Sequence, residues 1–200
     1  MNVAHPVPGP LDGIPVVQSH LLDDGDLVGS FIRNAFAARA AVIDIDAERV
    51  PDDVLARFVE QRLVRRAVVS REPEALDIGE RLTALGVMVD SVSAAASANA
   101  DLGVTSAVAA LATTGTIVQD SGVAGGRTAS LLPPVHLCVL PASRIVASTA
   151  DVLRTLGDRR SLPSNIVLIT GPSRSGDIEQ IMALGVHGPI AVEIALLRGA

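Results

Sequence analysis

The sequence predicts an α/β protein of a single domain, a mostly parallel sheet flanked by helices with one antiparallel hairpin. Short apolar runs alternate with amphipathic helical patterns at the spacing of parallel crossovers through the first half of the chain. Two strand-like runs, 107–111 and 116–119, are separated only by ATTG, too few residues for a crossover helix, so they pair antiparallel. Two hundred residues supply one sizeable core.

Taken in order, residues 1–15 are rich in Pro and Gly and form a loose lead-in to one domain over 16–200. Val16 and Val17 begin a short strand or merely lead in. Residues 24–38 read as a helix with Leu27, Val28, Phe31, Ile32 and Ala35 on one face. Residues 40–45 suit a strand. Pro51 sits where a first helical turn tolerates it, with Asp52 and Asp53 beside the positive helix end; Val54, Leu55, Phe58 and Val59 make the buried stripe. A short strand over 67–70 precedes a helix over 72–85, which turns Ala75, Ile78, Leu82 and Leu85 inward and stops at Gly86. Residues 87–92 form a strand and 93–100, small and polar, a connector. After the hairpin, DSGVAGGRTASLLPP (120–134) is the most glycine-rich segment and reads as a loop. Residues 137–140 make a buried strand, 142–156 a helix with Ile145, Val152 and Leu156 available for burial, and 159–164 a loop. The stretch 166–194 organises the rest: a buried strand (166–169), a polar turn (170–176), a helix, and a strand from Ile190.

Composition excludes several function classes. The formal net charge of −6 argues against a nucleic-acid surface. The first hundred residues carry 15 acids and 9 arginines, the second hundred 7 of each, so each charge in the second half stands out. There is no lysine, which removes a Walker A loop and a Schiff base. GxGxxG, GxSxG and HExxH are missing. Without Trp or Tyr, and with Phe31, Phe36 and Phe58 all early, there is no base-stacking platform. A single cysteine, Cys138, rules out a disulfide framework and an iron–sulfur cluster ligated by this chain alone. Four scattered histidines make no metal site. No apolar run approaches the ~20 residues of a membrane span. The first residues lack the basic-then-apolar order of a signal peptide, so the expected location is cytoplasmic.

Four places can carry chemistry. TGPSRSGD (170–177) offers Ser173, Arg174, Ser175 and the amide of Gly176 to a carboxylate or phosphate, where a strand hands over to a helix whose first N–H groups lack partners. A capped helix start, with Ser175 as N-cap and Asp177 and Glu179 facing the dipole, explains the same residues, and those two acids repel an anion. Arg127 in GGRTASLLPP is an anion clamp or a solvated loop arginine. The hydroxyl-rich turn at 112–116 needs Gly115 for its backbone angles. In GVHGP (185–189), His187 is either a general base or ligand to substrate, or a cap on helix carbonyls. His136 reads as structural and Cys138 as an inert core thiol.

These motifs also carry a resemblance. TGT (114–116), GGRTASLLPP (125–134), HLCVLPASRIV (136–146) and ITGPSRSGDIEQIMALGVHGP (169–189) resemble the LUD-domain proteins of the LutC/YkgG lactate-utilisation family, over residues 102–197. The resemblance implies a fold like that of the ribose-5-phosphate isomerase, CoA transferase and 5-formyltetrahydrofolate cyclo-ligase group (NagB/RpiA/CoA transferase-like). It implies a part in oxidising L-lactate to pyruvate beside iron–sulfur partners, LutA and LutB, with the clusters in those partners and no cofactor in this chain. The chain would bind a small carboxylate or phosphate, or support assembly, with homo-oligomers possible. The expected ligand-binding set is Thr114, Gly115, Thr116, Arg127, Gly171, Ser173, Arg174, Ser175, Gly176 and His187. One departure weighs against catalysis by this chain: relatives commonly carry an acid where Thr113 stands. The alternatives are a stand-alone enzyme or binder of nucleotides, sugar phosphates or acyl-CoA on the same fold, or a pure interaction module.

Overall fold

The structure, a computed structural model, describes residues 25–157, 165–176, 182–184 and 188–199. Helix α1 (Leu27–Ala37) leads to strand β1 (Ala41–Ile45), then α2 (Asp52–Arg62), β2 (Arg66–Val69), α3 (Pro73–Ala84) and β3 (Met88–Ser91). Short helix α4 (Ala94–Ala98) precedes β4 (Leu102–Ser106), the hairpin strands β5 (Ala109–Leu111) and β6 (Thr116–Asp120), and two single-turn helices, α5 (Ser121–Ala124) and α6 (Thr128–Leu131). Strand β7 (Val135–Pro141) runs through a 3₁₀ turn (Ala142–Arg144) into β8 (Ile145–Val146) and α7 (Thr149–Gly157), followed by β9 (Ile166–Ile169), β10 (Arg174–Gly176), β11 (Met182–Leu184) and β12 (Ala191–Leu197).

Six strands form a wholly parallel sheet in the order β1-β12-β7-β4-β2-β3. Parallel strands are buried on both faces, and the alternation along β7 shows how. Leu137 and Val139 join Leu55 and Phe58 of α2 and Ala75, Ile78 and Leu82 of α3 in one core. Cys138 and Leu140 point the other way, into a second core with Phe31 and Ala35 of α1 and Ala110 and Ile117 of the hairpin. That second layer is a four-stranded sheet, β8-β5-β6-β9, with α1 beside it. Helix α6 packs on the same face so closely that a Cβ on Gly103 of β4 would lie 1.7 Å from the Ala129 carbonyl oxygen. Among the described residues no helix is long and apolar enough to cross a membrane.

The predicted fold class holds, including the antiparallel hairpin, where Ala109 pairs with Val118 and Leu111 with Thr116. Several elements differ from expectation. Among the described residues after the turn, a strand pair stands where a helix was expected: Arg174–Gly176, read as part of the turn, pairs antiparallel with Met182–Leu184, read as helix, because a short mixed run satisfies either period and strand pairing takes it. Ser175 therefore caps no helix. The preceding strand, β9, is not a buried strand of the main sheet; it lies at the rim of the second sheet, with Leu168 half exposed. The expected helix over 142–156 starts only at Thr149, because β-branched Ile145 and Val146 pair with Ala110 and Leu111. The connector 93–100 contains a helix, capped by Ser93 Oγ accepting from Ala96 N at 3.1 Å. The glycine-rich loop holds α5, capped by Asp120, and α6. Leu85 lies past the last turn of α3 and stays half exposed. Strand β4 is absent from the sequence reading altogether. Its LGVTS has the glycine and hydroxyls of a turn, and only packing between layers makes it a central strand with every residue buried. The lead-in 1–15, Val16 and Val17, and the 159–164 loop lie outside the described residues.

Candidate functional site

The hairpin turn is built on the end of α1. Asn34 Nδ2 donates to the Ala112 carbonyl at 2.7 Å. Gly115 has φ +63°, and a Cβ there would lie 2.0 Å from the Ala35 backbone nitrogen, so the turn requires glycine on both grounds. Gly171 makes a matching approach at φ +77°, where a Cβ would lie 2.1 Å from the Ala38 carbonyl oxygen. Between the two glycines runs a ladder of hydroxyls: Thr114 Oγ1 and Thr116 Oγ1 are 2.7 Å apart, as are Thr116 Oγ1 and Thr170 Oγ1. Thr116 is buried while Thr114 and Thr170 are exposed, so the ladder opens to solvent at both ends. It faces the negative end of the α1 dipole, which favours neutral hydroxyl partners over anions. Thr113 is half-buried, and its amide donates to the Ala147 carbonyl.

Ser173, next along the chain, donates its amide to Pro189 O at 3.0 Å, and its Cβ lies 3.1 Å from where Gly188 would carry one. The GPSRSGD and GVHGP motifs thus meet, just ahead of the amino end of β12. Arg174, Ser175 and Gly176 are placed as backbone in β10. His187 lies outside the described residues, as do Asp177 and Glu179.

Arg127 is elsewhere. It is exposed and precedes α6, beside Gly126, whose position approaches Val92 past the carboxyl end of β3. Ser173 sits toward the amino ends of the parallel strands and Arg127 at their carboxyl ends. The structure joins Thr114, Gly115, Thr116 and Gly171, brings Ser173 to Gly188, and keeps Arg127 apart from both.

Two polar groups escaped the sequence reading. In the core, Gln119 Nε2 donates to Thr105 Oγ1, and Thr105 Oγ1 is 2.8 Å from His136 Nε2. His136 is fully buried, Nδ1 makes no hydrogen bond, and burial lowers its pKa to about 4. It is a neutral core histidine, as its sequence context suggested. Burial likewise pushes the Cys138 thiol up to about 12, so it is no nucleophile. The second group lies at the carboxyl ends of β2 and β4. Arg144 donates to Ser106 Oγ (3.0 Å), to the Ala107 carbonyl (2.8 Å) and to the Glu74 carboxylate. Glu72 is buried nearby with no well-formed hydrogen bond to either oxygen. Burial raises its carboxyl above the ordinary range, opposed by the Ser70 hydroxyl and the amides of Glu72 and Ser106. Nothing in the sequence flags this group, because its members are spread from Ser70 to Arg144.

Known proteins share this fold and its family. A crystal structure of a DUF162 family protein from Deinococcus radiodurans superposes with a TM-score of 0.64 over 88% of this chain and 99% of the other, at 21% identity, and so shares the fold. The "Lactate utilization protein C" of Halalkalibacterium halodurans is 45% identical over 97 residues, 46% of this chain and 41% of the relative. Its namesake from Bacillus subtilis is 38% identical over 102 residues, 49% of this chain and 42% of the relative. The match thus spans about two fifths of the length of these curated relatives. The LUD domain model matches residues 87–197, from the edge strand β3 through both motif turns to the end of β12, and with more than half of its length matched the chain belongs to the LUD-domain family.

Proposed function

We propose that this chain is a LutC-type component of a lactate-utilisation system, working in the cytoplasm beside iron–sulfur partners of the LutA and LutB kind that carry electrons from L-lactate as it becomes pyruvate. The observation that carries the reading is the 45% identity over 97 residues to a protein named for lactate utilisation. The chemistry of the chain agrees with a supporting part. Its one cysteine is a protonated thiol in the core, useless as a cluster ligand, so redox centres belong to the partners. Thr113 supplies no carboxylate for acyl or acid–base chemistry. L-lactate pairs a hydroxyl with a carboxylate. The exposed ends of the hydroxyl ladder, Thr114 and Thr170, suit the first. Ser173, Arg174, Ser175 and the Gly176 amide, a few residues further along the chain, suit the second.

The test is growth on L-lactate as sole carbon source by a bacterium lacking its own protein C but retaining the iron–sulfur partners. The full chain restores growth, and Thr116→Val and Arg174→Ala each reduce it severalfold. Soluble, expressed protein that restores nothing overturns the reading.

A further inference from the structure

Most arginines whose side chains the structure describes are paired, Arg49 with Asp52 among them. Arg57, Arg62, Arg66, Arg81, Arg144, Arg154 and Arg198 each meet a carboxylate. Arg71 and Arg127 meet none among the described residues, and the fold brings these two together. Arg71 leaves the carboxyl end of β2, and its side chain lies flat against Gly125: a Cβ there would be 3.0 Å from Arg71 Nε and 3.4 Å from Cζ. Two residues on, after Gly126 at φ +135°, stands exposed Arg127. The nearest acid on the loop, Asp120, is buried and engaged with the Gly122 and Val123 amides. Glu72, the neighbour of Arg71, is turned into the core. The Arg71 guanidinium thus lies on the glycine turn that leads into exposed Arg127, and neither arginine meets a carboxylate among the described residues, in a protein of net charge −6.

We propose that Arg71 and Arg127 form a clamp for a dianionic phosphate group, free or carried by a small metabolite, seated over Gly125 and Gly126 at the carboxyl edge of the parallel sheet. Two planar forks give up to ten N–H donors, and a dianion balances both charges where a monocarboxylate balances one. The carboxyl edge of a parallel sheet is also where α/β proteins hold ligands. Gly125 stands at φ +80°, which favours glycine, and a side chain there would press the Arg71 guanidinium aside by a few tenths of an ångström. The clamp is separate from the hydroxyl ladder and does not rest on the lactate reading.

The experiment is calorimetric titration of the full chain with inorganic phosphate and with pyrophosphate at about 0.1 M salt, where charges more than ~10 Å apart are largely screened. L-lactate serves as the monoanion control. Both phosphates bind, and Arg71→Ala and Arg127→Ala each weaken binding at least about tenfold, while Arg65→Ala at the amino end of β2 leaves it unchanged. Arg71→Lys keeps the charge, loses the fork, and recovers only part of the affinity. The substituted side chains are exposed, and an unchanged unfolding temperature without ligand confirms that each variant is folded. No phosphate binding by the wild type, binding that survives either alanine substitution, or L-lactate competing equally for the same residues overturns the clamp.

Discussion

His136 shows how a single residue sets the response of this protein to acid. Its pKa is near 6.5 in the unfolded chain and about 4 when folded, so protons bind the unfolded state first. The stability contributed by the neutral form is present above pH 6.5 and is lost as pH falls toward 4. Glu72 acts in the opposite sense: its raised pKa contributes stability at low pH that is lost as pH rises past its unfolded value of 4.5. Denaturant titrations at a series of pH values isolate the histidine: His136→Gln flattens the loss between pH 6.5 and 4 by up to about 1.4 kcal/mol per pH unit. Gly115 gives a second residue-scale outcome. Gly115→Ala forces a methyl group into the Ala35 backbone at positive φ, and an on-the-order-of 2–4 kcal/mol loss in chemical denaturation is expected. The need for glycine there was legible from the hairpin turn, and so were the inert characters of His136 and Cys138. Arg71 was not, because the glycine it lies against is distant in sequence, and no local pattern records that contact.

At the scale of elements, caps and close approaches decide what forms. Asp26 caps α1, its Oδ1 accepting from Gly29 N at 2.8 Å, and Asp26→Ala should cost about 1 kcal/mol in the same assay. The helix itself was legible because its apolar residues fall on one face. Strand β4 was illegible because its burial comes from α3 on one side and α6 on the other, neither of which shows in LGVTS. Strand β10 was read as part of a turn and β11 as part of a helix, because a few mixed residues fit more than one period. Gly103 ties the element scale to the proposed clamp. Gly103→Ala would push α6 off the sheet, and α6 begins immediately after Arg127. Weaker pyrophosphate binding together with a lowered unfolding temperature is the expected pair of results from calorimetry and thermal melting. A variant that loses stability while binding normally would show that α6 does not position the arginine.

Across the whole molecule, the alternation of strands and helices was enough to give the fold class, whereas the strand order was not written in any local pattern. Strands β7 and β12 have partners on both sides and face a hydrophobic core on each surface; β1 and β3 each have one neighbour. Hydrogen exchange should therefore protect the amides of β7 and β12 longest and those of β3 least. That order has a consequence for how the chain is made. Strand β1 pairs only with β12, Ala41 opposite Glu193, so nearly the whole described chain is synthesised between two neighbours in the sheet. Strand β2 in turn lies between β3 and β4, so the family-matched segment 87–197 cannot close its own sheet. A nascent chain on the ribosome thus holds β1 and the flank of β7 unpaired until β12 emerges, and a premature stop before Ala191 would strand both as open edges for chaperones and proteases to find.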